Sequence, residues 1–181
     1  MRRITALFAL ITLSVIAYAQ TPNKKTLVQN TFFGMKMGEI TTLLKIRTSV
    51  DTRGTFVMQE AQGGKTVCQF KDVDFAGQRW DNARFSIADG GRLYEFAVCK
   101  QFNYSNGGQE AAEALYAFLK ESLDKKYGKG LEPNDGGGSQ AIYVGINDMR
   151  VGLFLKDNTV ALDYLKPSLL EQVQNKIIDE L

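Results

Sequence analysis

From Thr55 onward apolar and polar residues alternate in short runs rich in β-branched and aromatic side chains, cut by "QGG" at 62–64, "AG" at 76–77 and "DGG" at 89–91. This predicts four strands joined by tight turns, because successive strand side chains point to opposite faces and glycine supplies the positive φ that hairpin turns need. The period then changes. In "GGQEAAEALYAFLKESLDKKYGKG" the residues Ala112, Leu115, Tyr116, Leu119 and Leu123 form one apolar helical stripe, and Gly128 is a natural stop. Three more strands follow, "QAIYVGI", "MRVGLFLK" and "TVALDYL", with turns at Asn147-Asp148 and Asp157-Asn158. A last helix opens at Pro167 and carries Leu170, Val173, Ile177 and Leu181 on one face, with Leu169 and Ile178 beside it. Ahead of the strands, "FFGMKMGEITTLLKIRT" sets Ile40, Leu43 and Leu44 at helical spacing and predicts a short helix. The expected fold class is α+β: two antiparallel β-meanders, of four and three strands, each followed by a helix in a two-layer helix-on-sheet arrangement. It forms a single domain over 32–181, whose halves, 32–128 and 140–181, are joined by a Gly-rich loop and share a plan that hints at duplication.

Hairpin turns fix register, so the faces can be read from the letters. Around Asn147-Asp148, Ile146, Val144 and Ile142 pair with Met149, Val151 and Leu153. Around Asp157-Asn158, Leu155, Leu153 and Val151 pair with Val160, Leu162 and Tyr164. All of these fall on one face, while Gly145, Arg150, Gly152 and Asp163 fall on the other, as in an antiparallel sheet with one wet side. In the first meander a type I′ turn at Asp89-Gly90 pairs Phe85 with Tyr94, Ala83 with Phe96 and Asp81 with Val98. The turn at Ala76-Gly77 sets Phe70 against Ala83 and Cys68 against Phe85. On the reverse lie Arg84 opposite Glu95, as an exposed ion pair, and Trp80 flanked by Val73 and Cys99.

The N-terminus changes the picture from a fold to a location. Two arginines, an apolar run from Ile4 to Ile16 and the A-x-A signal Ala17-Tyr18-Ala19 read as a Sec signal peptide over 1–19. The run is shorter than the roughly 18 residues of a membrane span, so the expectation is export to the periplasm or the extracellular space with no stable membrane insertion after cleavage. Residues 20–31 read as a flexible segment. Cleavage removes Arg2 and Arg3 and leaves basic and acidic residues equal in number, without the basic stripe of a nucleic-acid binder. The chain contains no histidine, which excludes serine-histidine and cysteine-histidine mechanisms and removes the commonest metal ligand. No motif calls for a metal or a cofactor.

Three features remain as candidate chemistry. Val73, Phe75, Arg79, Trp80, Asp81 and Asn82 gather an aromatic, apolar and polar patch at one hairpin tip. Either a covering segment such as "FFG" at 32–34 buries it, or it is a surface for a partner or ligand. Asp72 and Asp74, two apart in a strand and near Asp81, are the carboxylates an acid-base mechanism would use, although three acids with an arginine at a sheet edge are ordinarily solvated. Cys68 and Cys99 form an even pair in an exported chain, yet the meander puts them on opposite faces and two strands apart, beyond disulfide reach.

"FKDVDFAGQRWDNARFSIADGGRLYEFAV" followed by a helix ending "LDKKYG" resembles small exported α+β proteins of Gram-negative bacteria. Over residues 32–128 the plan is similar to that of the β-lactamase-inhibitor-like and outer-membrane-assembly lipoprotein folds. The resemblance implies a protein that binds other proteins without catalysis; the lipid-attachment cysteine is missing here, so anchoring does not carry over. The expected function is thus a non-enzymatic exported interaction protein whose partner is an envelope or secreted protein. The alternatives are a histidine-free, acid-dependent hydrolase using Asp72, Asp74 and Asp81, and a structural subunit that pairs its wet faces in an oligomer.

Overall fold

The computed structural model describes residues 26–62, 64–104, 107–133 and 138–179. The expected signal peptide over 1–19, the stretch that follows it up to residue 25 and the Gly-rich loop at 134–137 lie outside the described residues, as does Leu181 of the expected C-terminal stripe.

The chain begins with a two-stranded ribbon, β1 (Thr31–Phe32) and β2 (Met35–Lys36), turning through Phe33 and Gly34. Helix α1 (Leu43–Val50) follows, its first turn capped by the Thr42 hydroxyl, which accepts from Lys45 N. Its buried side is Ile46 and Val50; Ile40 and Leu44, expected inside, are exposed. Then come β3 (Thr55–Gln62), β4 (Lys65–Phe75), β5 (Gln78–Ala88) and β6 (Leu93–Gln101). Helix α2 (Gly108–Tyr127) leads to β7 (Ser139–Val144), β8 (Arg150–Lys156), β9 (Thr159–Leu165) and helix α3 (Pro167–Asp179).

The expectation of two meanders, each with its own helix, is overturned. All seven long strands form one antiparallel sheet in the order β3-β4-β5-β6-β9-β8-β7. The joint is the pairing of Glu95–Gln101 in β6 with Thr159–Leu165 in β9. Each is the last strand of its run and would otherwise leave a bare edge of unpaired amides. Alternation along a strand shows which side chains share a face, but carries no signal for which edge meets which. The two-stranded ribbon is a further element that the helical reading of its segment missed.

The two-layer expectation fails as well, because helices cover both faces. On one face α2 lies over β7, β8 and β9, and its Ala112, Leu119, Leu123 and Tyr127 share a core with Val151, Leu153 and Leu162; Phe85, Phe96 and Val98 of β5 and β6 belong to the same core, where Phe32, Met35, Ile46 and Val50 from the ribbon and α1 complete it. On the reverse, α3 contributes Leu169, Leu170 and Val173 to a second cluster with Tyr94, Ala97, Cys99, Phe154, Ala161 and Leu165. The face expected to be wet is therefore a second core.

Two turns account for the register differences. Gly90 and Gly91 both take positive φ, and the Gly91 N–H donates to Ala88 O, so the "DGG" loop is longer than a two-residue turn. Phe85 consequently meets Phe96 rather than Tyr94, Ala83 rather than Asp81 meets Val98, and Asn82 rather than Trp80 is the partner of Cys99. In the second case Gly145 leaves the ladder and donates to Met149 O, while the Asn147 amide is drawn away to clasp Val28, accepting from its N–H and donating to its C=O. The β7–β8 pairing slips by one residue, so that Tyr143 opposes Val151 and Ala141 opposes Leu153 on the core face. That clasp also ties down the described part of the segment expected to be flexible, where Val28 is buried and Thr26 O accepts from Ile146 N. The turn at Asp157-Asn158 is as read: both residues have positive φ and Lys156 pairs with Thr159.

Both cysteines are buried and free, Cys68 in the α2-side core and Cys99 in the reverse cluster. Among the described residues no helix is long and apolar enough to cross a membrane.

Candidate functional site

The β4–β5 hairpin turns at Ala76 and Gly77, with φ of 53° and 73°, and its tip lies against the β1–β2 ribbon. Between them opens a cleft of about 730 Å³. Its apolar side is aromatic. Phe33 and Phe75 stand 6.0 Å apart between ring centroids, and Phe75 continues into the core through Phe96 at 4.9 Å. Such tilted and edge-on ring contacts fix the wall of the cleft more firmly than isolated aliphatic side chains would.

The polar side is built from Arg53, Asp74, Gln78 and Arg79. Arg53 sits in the loop before β3, where its carbonyl accepts from Asp74 N at 2.8 Å and its guanidinium lies 5.6 Å from the centre of the Phe33 ring. Arg79 reaches across the hairpin to Asp74, with Nη1 at 3.2 Å and 3.3 Å from the two carboxylate oxygens. That pair is well exposed, so it adds little stability and is open to exchange with an incoming carboxylate. Arg53 has no carboxylate partner among the described residues, which leaves the cleft with a surplus positive charge.

Of the six residues expected to form a patch, Phe75 and Arg79 line this cleft. Val73 and Trp80 do not; both are wholly buried, and the indole N–H donates to Phe75 O at 3.0 Å. Sequence parity places Trp80 on the face opposite Phe85, yet both belong to the α2-side core. Asp72, at φ of 54°, interrupts the regular alternation of β4 beside the Val73–Trp80 pair, and strand parity stops being a guide there. Asp81 is half-buried and accepts from Gln101 N at 2.7 Å, away from the cleft, and Asn82 is half-buried opposite Cys99. Asp72 is exposed and outside the cleft. The three acids therefore do not converge.

Sequence reasoning missed Arg53 and Gln78 as lining residues. Phe33 had a signal, since "FFG" was a candidate cover for the tip, and Phe32 and Phe33 do pack against Phe75. Arg53 had none; only the Asp74 N–H to Arg53 O bond brings its loop to the tip.

The chain matches no protein-family model, no curated protein and no solved structure.

A second polar cluster lies under α3, on the reverse face. Glu95 is paired with the Arg84 guanidinium and accepts from the Ser86 hydroxyl, and all three residues are buried. The ion pair expected at the surface is thus internal, because α3 covers the face assigned to solvent. Asp163 and Arg150 are buried beside it. Among the described residues no group of three or more acidic or cysteine side chains is placed to hold a metal ion.

Proposed function

We propose that the chain is an exported, non-enzymatic interaction protein that binds an envelope or secreted partner through the cleft between the β4–β5 tip and the β1–β2 ribbon. The observation that carries this reading is the combination in one cleft of the Phe33 and Phe75 rings with two exposed arginines and a single acid. Aromatic residues and arginine are the side chains that most often anchor protein interfaces, because they bury large area and offer directional donors with little added entropy cost. The surplus positive charge favours a partner that presents a carboxylate to Arg53 while an apolar group rests on Phe33 and Phe75. Export rests on the N-terminal leader sequence, and the resemblance in plan to inhibitor-type exported folds points the same way.

The hydrolase alternative needs two acids in one cleft. Only Asp74 lines this one, and it is held by Arg79.

Affinity capture from the native envelope fraction, with the wild-type chain and the double variant Arg53→Glu/Arg79→Glu, tests the proposal. Both positions are exposed, so the fold and the thermal midpoint should be unchanged while the captured partner is lost. A partner retained by the folded double variant overturns the assignment of the cleft.

A further inference from the structure

Asp163 sits in the middle of β9, opposite Ala97 of β6 on one side and Gly152 of β8 on the other, with 1% of its surface exposed. Neither of its carboxylate oxygens has a hydrogen-bond partner among the described residues. The groups that face it come from every neighbouring element: Arg84 and Ser86 on β5, Tyr94 and Glu95 on β6, and Arg150 on β8. Helix α3 adds Glu171, whose charge acts on Arg150. Within this set the Arg84 guanidinium and the Ser86 hydroxyl are turned to Glu95, so Glu95 is the carboxylate that the cluster solvates.

An ionised carboxylate at this depth without a donor is far costlier than a neutral carboxyl, and the negative charge of Glu95 raises that cost. Burial first, and Glu95 second, push Asp163 well above the ordinary carboxyl range, while Arg84 and Arg150 pull the other way without prevailing. Asp163 shares its face with the α3 cluster, its strand neighbours Ala161 and Leu165 both touching the group that holds Leu169, Leu170 and Val173. Helix α3 is the last described element and takes no part in the strand ladder, so it can separate while the sheet stays paired. Its polar ties include Lys166 to Asp148 at 2.9 Å, Ser168 to the same carboxylate through both its N–H at 3.4 Å and its hydroxyl at 2.5 Å, and an exposed pair between Lys176 and Asp89.

We propose that Asp163 is a proton-held clasp: its neutral side chain lets α3 seat on the reverse face of the sheet, and loss of its proton to solvent loosens the helix. Because the folded state favours the protonated form, docking is strongest at pH values below the unfolded carboxyl range. It weakens as pH rises through the raised folded value. The proton is the ligand, and an exported chain meets whatever proton concentration its surroundings impose. This is independent of the cleft, whose lining includes none of the residues around Asp163.

The test is amide hydrogen exchange of residues 169–176 in the full chain, wild type against Asp163→Asn, measured at matched pH values from 5 to 8 so that intrinsic exchange cancels. Asparagine has the shape of the neutral acid and cannot ionise. The wild type should lose at least tenfold in α3 protection relative to the variant across that range, while protection in β5 and β6 is the same in both. Parallel profiles for the two proteins overturn the proposal. A carbon-13 titration of the Asp163 carboxyl in the wild type is the second measurement and does not depend on the variant folding. Titration above the ordinary carboxyl range, together with loosening of α3, supports the clasp; titration near pH 4, where an unperturbed aspartate titrates, overturns it.

Discussion

The single tryptophan illustrates how a residue that looks like a binding anchor becomes core. Trp80 is wholly buried, packs with the α2-side cluster and spends its one donor on Phe75 O, so it supports the cleft wall from behind. Trp80→Ala should therefore destabilise the fold by about 3–5 kcal/mol, the range for removing a large buried aromatic, in chemical denaturation. Native wild-type emission should be that of an indole shielded from water. A variant within about 1 kcal/mol of wild type would return Trp80 to the surface. The neighbouring turn carries the opposite kind of residue. Ala76 holds a φ of 53°, in the left-handed region where a Cβ costs about 1–2 kcal/mol and asparagine is tolerated. Ala76→Asn should accordingly raise the unfolding free energy by about 0.5–1 kcal/mol, and an unchanged denaturation midpoint would count against a strained turn.

At the scale of elements, the legible parts were those written in consecutive residues. The stripe Ala112, Leu119 and Leu123 specifies α2 and its buried side, and Gly128 ends the helix with its N–H on Asp124 O. The positive φ values at Asp157 and Asn158 follow from the turn residues themselves. What was not legible depended on contacts from a distance. Asn147 looks like a turn residue, but its amide serves Val28, 119 positions earlier in the chain, and the β7–β8 register moves by one as Gly145 leaves the ladder. The exposed side chains of the cleft belong to the same class: Arg53 reaches the β4–β5 tip only through a backbone bond from Asp74. Its loop has no periodicity that could have announced it.

The whole molecule is held by one sheet that neither half can complete. Pairing of β6 with β9 places the centre of the sheet at the junction of the two halves, and α2, which follows the first run of strands, packs on β7, β8 and β9 of the second. We expect one cooperative transition in calorimetry for the full chain, with calorimetric and van't Hoff enthalpies equal. A fragment covering residues 26–133 should lack a cooperative transition, because it leaves the β6 edge unpaired and the apolar Phe96 and Val98 short of partners. Two separable transitions, or a stably folded fragment, would mean that the halves are independent after all. The sequence by itself determined the local periods, the places where the strands turn, the end of α2 at Gly128 and the start of α3 at Pro167, since each depends on the chemistry of neighbouring residues. Only the tertiary structure decided that the two runs of strands merge into one sheet and that α3 buries its reverse face. It also left Asp163 inside and Arg53 at the mouth of a cleft, because pairing between distant edges is settled by what remains unburied once every local element has formed.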